Sequence, residues 1–141
     1  MSLADPVPWL LLVAAAHLGF QLTVDVVVYP ALRDVGDAAW SRAHERHSAR
    51  ITPVVAAIYP PLVGVLAWAA ATHAAEPGTW VAVAGGALAV LTTAAVAAPS
   101  HGRLATAPAE ARPALLRRLD RADRVRTLGA LVCVVGALVL A

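Results

Sequence analysis

The chain has 141 residues, 60% of them hydrophobic and 14% charged, with a formal net charge of +2. A soluble domain carries about 25% charged residues, so this composition argues against a water-soluble enzyme and for a bilayer protein. The small net charge gives no basis for nucleic-acid binding, and the one cysteine, Cys133, allows no intrachain disulfide and reads as a small packing residue within an apolar run. The mean hydropathy of +0.70 agrees with a membrane location. Residues 1–8 lack the basic start of a cleavable leader, so the first apolar run is expected to stay in the membrane.

A bilayer core about 30 Å thick takes roughly 20 apolar residues of helix, and four segments approach that length. The first is predicted over residues 6–29, with Asp5 as its cap, Pro6 in its first turn and Pro30 as its stop. The second, 51–71, contains Pro53, Pro60 and Pro61. Each proline removes a donor and crowds the carbonyl four residues back, so this helix is expected to kink beside Tyr59, either as plain packing or to open a site. Ala38 to Arg50 contains no breaker, which extends the helix back to about residue 38.

The third span, 80–98, is expected to stop at Pro99, and its small residues (Val83-Ala-Gly-Gly-Ala-Leu-Ala) allow close helix approach in lipid. The fourth, 125–141, holds 17 residues, which is slightly short at about 1.5 Å per residue. It is therefore expected to start near Pro113, with arginines reaching out to headgroups. Gly129 and Gly136 on this span could also admit close packing. The expected fold is all-α: one domain over 1–141, an integral membrane up-down-up-down four-helix bundle.

All eleven basic residues are arginines, and they fall in two places. Arg33, Arg42, Arg46 and Arg50 lie between the first and second spans. Arg103, Arg112, Arg117, Arg118, Arg121, Arg124 and Arg126 lie between the third and fourth or at the start of the fourth. The positive-inside rule puts the connections 30–50 and 99–124 in the cytoplasm and both termini outside the plasma (inner) membrane. Trp9, Trp68 and Trp80 then fall at the outer interface and Trp40 at the inner one, as membrane anchors.

Ionisable groups within a span cost about 2.5–3.5 kcal/mol each on insertion scales and face the bundle interior or a wet cavity by default. His17, Gln21 and Asp25 are spaced i, i+4, i+8 and so share one face of the first helix. They read either as an interhelical hydrogen-bond network, with Asp25 paired to an arginine, or as a polar pocket in the inner half of the bundle. His44 and His47, spaced i, i+3, are close enough to share a metal ion or an anion with His101, or they are simply surface histidines. His-Glu-Arg-His is one residue shorter than the zinc-protease motif, so that chemistry is not implied. Asp120 and Arg124 can pair at i, i+4. Arg126 either reaches lipid phosphates or turns inward toward Asp25 or an anionic substrate.

Pro99-x-His101-x-x-Leu104 after the third span, Arg126-Thr127 opening the fourth, and the histidine-bearing segment before the second resemble the anthrone-oxygenase-like family of four-span membrane proteins. Its bacterial members are largely of unknown function, and fungal members are associated with oxygenation of anthrones to anthraquinones. The chain departs from that pattern in having Asp123 where the family often has asparagine, and Gly129 to Leu131 where it tends to have tryptophan. The resemblance implies a membrane oxidoreductase or oxygenase acting on a hydrophobic, aromatic small molecule that enters from the lipid bilayer. Apart from the resemblance, the convergence of His44, His47, His101, Asp25 and Arg126 at one predicted depth suggests His101 as general base, oriented by Asp25 or Gln21, with Arg126 stabilising the developing enolate and His17, Gln21, Tyr59 and Thr127 lining the substrate pocket. The cofactor is either none or a metal held by His44, His47 and His101. Two alternatives stand beside this: a histidine-bound metal or haem site, and a non-enzymatic transporter or scaffold subunit, for which a homo-oligomer is expected.

Overall fold

The computed structural model describes residues 4–141, which are almost entirely helical, with no strand among them. Four long helices account for them: α1, Pro6–Arg33; α2, Trp40–Thr72; α3, Pro77–Thr106; and α4, Arg112–Leu140. Asp5 caps α1 as its side chain requires, its Oδ1 accepting from the Val7 N–H at 2.9 Å. The helices through α1, α2 and α3 are each long and apolar enough to cross a membrane. Their exposed surfaces carry large apolar side chains, among them Leu12, Val26, Val27, Val63 and Leu91, which is the pattern of a surface turned to lipid rather than water.

Two helix ends differ from the sequence expectation, and for one reason. Pro30 does not end α1, and Pro99 does not end α3. Each proline is preceded by a five-residue π-helical turn, Val24–Val28 in α1 and Thr93–Ala97 in α3. In an α-helix the proline ring collides with the carbonyl four residues back. The wider turn moves that carbonyl aside, and the helix bonds across it from Tyr29 N–H to the Val24 carbonyl and from Ala98 N–H to the Thr93 carbonyl. Pro53, Pro60 and Pro61 are likewise carried inside α2 without interrupting it. The connections expected to be long are mostly helix: only residues 34–39 and 107–111 separate the rods, and each includes a single 3-10 turn.

Packing is densest between α3 and α4, and α1 contacts both α2 and α4 while α2 contacts α3. Small residues set the α3–α4 distance. A Cβ on Gly78 would stand 2.8 Å from the Gly136 carbonyl oxygen, and one on Gly129 would stand 2.7 Å from the Gly85 oxygen. Two apolar clusters fill the interior. One holds Leu10, Ala14, Leu62, Leu66, Ala82 and Cys133. The other holds Val24, Tyr29, Leu32, Trp40, Leu104 and Leu119. Along α1 the buried His17 and Gln21 lie between them, so the interior is apolar, then polar, then apolar again.

Candidate functional site

The polar layer begins with His17 and Gln21, both 0% exposed. Gln21 Nε2 lies 3.3 Å from His17 Nε2 and donates to the Tyr59 hydroxyl at 3.1 Å. Tyr59 in turn lies 2.8 Å from Thr93 Oγ1, which donates to the Ala89 carbonyl at 2.9 Å. Thr93 has given its one proton away, so the Tyr59 hydroxyl donates to it and accepts from Gln21. Three helices are thereby tied at one level, α1, α2 and α3. This is the network that the spacing of His17 and Gln21 suggested. His17 Nδ1 and Gln21 Oε1 are left buried without a partner among the described residues.

A second line runs from α4 through α1 to α3. Asp123, 0% exposed, pairs with Arg126 one turn along α4. Arg126 Nη2 donates to the Tyr29 hydroxyl at 3.1 Å, and that hydroxyl lies 3.3 Å from His101 Nε2. A guanidinium can only donate, so the tyrosine oxygen accepts from Arg126; the tautomer of His101 sets whether the hydroxyl gives its own proton to Nε2 or accepts a second one from it. Tyr29 is buried because of the π-turn. The inward positions of α1 run 10, 14, 17, 21, 24 and then 29 and 32. The step of five across Val24–Val28 turns Tyr29 inward.

Beside His101 lie two more imidazoles. The His101 ring centroid is 5.4 Å from that of His47 and 5.8 Å from that of His44, and the latter two are 6.4 Å apart. The indole of Trp40 stacks on His44 with centroids 5.6 Å apart, donates Nε1–H to the Leu104 carbonyl at 3.1 Å, and carries the Arg112 guanidinium 5.2 Å from its centroid. Each of the three histidines has one buried ring nitrogen with no hydrogen-bond partner among the described residues: His44 Nε2, His47 Nε2 and His101 Nδ1. The rings meet, as their shared depth suggested, but no three His, Cys, Asp or Glu side chains among the described residues are placed to hold one metal ion.

Histidines 44, 47 and 101, Tyr29 and Arg126 line one side of a cavity of about 680 Å³. The rest of its wall is mainly apolar or small, with Phe20, Val24, Ile51, Val55, Ala97 and Ala105, and with Ser41, Glu45, Ser48 and Thr52 along one face of α2. This volume falls within the range of about 300–1,000 Å³ usual for small-molecule sites. The wall contacts available are apolar surface, an aromatic stack and a few directed polar groups.

Several sequence expectations change. Asp25 is not in the cluster: it is half-buried within the π-turn, makes no hydrogen bond or ion pair among the described residues, and does not line the cavity. The carboxylate facing Arg126 is Asp123 instead. Of the two readings left open for Arg126, the inward one holds, since it is buried against Asp123 and Tyr29. His17, Gln21 and Tyr59 lie in the neighbouring network and not in the cavity wall, and Thr127 Oγ1 is buried without a partner among the described residues. Asp120 pairs across to Arg33 at 2.5 Å rather than with Arg124. Trp40 is 2% exposed and acts as a floor for His44 instead of a lipid anchor, whereas Trp9, Trp68 and Trp80 are exposed. The residues to which the sequence gave no site role are Tyr29, Thr93 and Asp123, the last noted only as a departure from the family pattern. Only Asp123 carried a local signal, its i, i+3 spacing to Arg126.

No protein-family model matches the chain, and neither curated proteins nor solved structures provide a match.

Proposed function

We propose that the chain crosses the plasma membrane four times as an up-down-up-down bundle with both termini outside, and that its cavity is the site of an oxidoreductase acting on a hydrophobic aromatic molecule taken from the lipid. The membrane part rests on three long apolar helices and on the confinement of all arginines to two connections and the adjoining start of the fourth span. The catalytic part rests on one observation: the Asp123–Arg126–Tyr29–His101 line ends at the wall of a largely apolar cavity.

In this reading the cavity holds the rings by apolar contact, and the Tyr29–His101 pair handles the proton. An activated C–H of the substrate gives its proton to this pair. Histidine suits the step because its ordinary pKa lies near neutrality. The carbanion left behind is an enolate or phenolate in its resonance form, and Arg126, acting through Tyr29, stabilises that negative charge. Dioxygen is the oxidant. A methylene carbon and O2 become a carbonyl and water, as the resemblance to anthrone oxygenases implies.

The test is turnover of an anthrone-type substrate by purified protein in lipid nanodiscs. The parent is expected to consume oxygen and form the ketone, and His101→Ala is expected to lose the activity while keeping its helical content. Equal turnover by a folded His101→Ala variant sinks the mechanism.

A further inference from the structure

Arg126 and Glu45 are the charged residues in the cavity wall. Arg126 is already spoken for: it is 6% exposed, paired with the fully buried Asp123 and bonded to Tyr29. Asp123 itself stands behind the wall, and its Oδ2 has no partner among the described residues, so Arg126 is the group that holds it. An anionic ligand reaching Arg126 would meet one positive charge, that of Arg126, and beside it the buried negative charge of Asp123, while the exposed Glu45 adds only a solvent-screened one. Like charges brought together away from water repel strongly. What the wall does offer is neutral polarity: the Tyr29 hydroxyl and three imidazoles, each with a buried nitrogen that lacks a partner among the described residues. A phenolic hydroxyl both donates and accepts, and a ring carbonyl accepts.

We infer that Asp123 sets the charge selectivity of this cavity: by neutralising Arg126 it makes the site one for neutral phenolic or keto-aromatic molecules and closes it to aromatic carboxylates of the same size. This rests on the reading of the cavity as the substrate site. A carboxylate-binding site would leave the arginine free for a bidentate contact; here that position is taken by a residue of the same helix.

The probes are 2-naphthol and 2-naphthoate, which share a ring system and differ in charge at neutral pH. Binding is measured on the full chain in nanodiscs, with empty nanodiscs subtracted to remove partition into lipid. The parent is expected to bind 2-naphthol about tenfold or more tightly than 2-naphthoate. Asp123→Asn is expected to raise the affinity for 2-naphthoate by about tenfold and to shift that for 2-naphthol by less than about threefold. The double variant D123N/R126Q, with neither charge, is expected to lose the gain. Should D123N fail to fold because it buries an unpaired guanidinium, reconstitution with 2-naphthoate present is expected to restore it, since the ligand replaces the lost carboxylate. A parent that binds the two probes equally or prefers the carboxylate overturns the inference and leaves the cavity reading standing. So does a D123N protein with unchanged selectivity, or one that 2-naphthoate does not rescue. A parent that binds neither probe removes the cavity reading, and the inference with it.

Discussion

Replacing Tyr29 by phenylalanine keeps the ring, its volume and its apolar contacts with Leu32 and Trp40, and removes one oxygen. That oxygen accepts from Arg126 at 3.1 Å and faces His101 Nε2 at 3.3 Å. The residue is 2% exposed and lines the cavity, so water standing in the cavity would offset only part of the lost bond. A hydrogen bond to a charged group contributes about 1.5–3 kcal/mol in soluble proteins, whereas side-chain hydrogen bonds within membrane bundles average about 0.6 kcal/mol. Arg126 keeps Asp123 as a partner, which lowers the cost. His101 loses the one hydrogen bond its ring makes among the described residues, which raises it. A loss of about 1–2 kcal/mol follows from these opposing contributions. It is measured as the shift in the midpoint of unfolding by SDS, followed by circular dichroism in mixed micelles. On the proposed mechanism turnover falls by about 10²-fold or more, the usual contribution of a positioned acid–base group. An unchanged midpoint would show that Tyr29 does not join α1 to Arg126 and His101. A shifted midpoint with turnover within twofold of the parent would leave the bond in place and refute its part in proton transfer.

Gly136→Val places a side chain against the backbone of Ala82, which cannot yield, and is expected to destabilise the bundle by about 3 kcal/mol in the same SDS titration. Gly102→Ala has open space around it and serves as the control, expected to shift the midpoint little or upward. Trp40→Phe removes the Nε1–H donated to Leu104 at 3.1 Å and loosens the support of His44. It is expected to cost about 1 kcal/mol, and wild-type stability would show that the indole is not a structural floor. Arg33→Ala breaks an ion pair whose arginine side chain is 44% exposed, and is expected to cost less than about 1 kcal/mol; a larger loss would mean that Asp120 has no alternative partner in water. Cys133, buried between α3 and α4, is expected to resist maleimide in the folded protein and react in SDS; rapid labelling of the native protein would contradict the α3–α4 packing.

The apolar runs, the arginine distribution and the prolines made a helical membrane architecture legible, because bilayer thickness and backbone hydrogen bonding leave few alternatives. The helix ends at Pro30 and Pro99 were not legible. A proline reads as a stop because it breaks the α pattern, and nothing local marks the π-turn that absorbs it. The regular count could not tell Tyr29 from Asp25: Tyr29 stands i+8 from Gln21, as Asp25 does from His17, and only the step of five from Val24 across the wider turn sets Tyr29 inward. The same counting placed Asp25 on the face of His17 and Gln21, yet the structure leaves it half-buried at the edge. The meeting of His44, His47 and His101 could be anticipated from depth alone. What depth could not supply is the placement of the rings: among the described residues no three His, Cys, Asp or Glu side chains stand where they could hold one metal ion. Asp123 was visible as a partner of Arg126 by spacing, but the neighbouring Asp120 and Arg124 offered the same arithmetic. Burial separates the two cases: Asp123 is 0% exposed, whereas Asp120 lies partly in solvent and bonds to a different helix.

The two π-turns explain why the site sits where it does. Each widens its helix just before an X-Pro step, in α1 at Tyr29-Pro30 and in α3 at Ala98-Pro99. A π-turn adds a residue to the local repeat, so the face beyond it is rotated by about 100° relative to a continuous α-helix. In α1 the residue brought inward is Tyr29. In α3 the turn starts at Thr93, which holds Tyr59, and the face that follows presents His101. Both widened segments border the cavity, through Val24 and Tyr29 on one side and Thr93 and Ala97 on the other. A helix pair that stayed regular would close its small and apolar residues against each other, as α3 and α4 do around Gly85 and Gly129. Here the prolines prevent that closure, the π-turns keep the backbone bonded despite them, and the space left between the helices is the cavity into which the histidines and the tyrosine are turned.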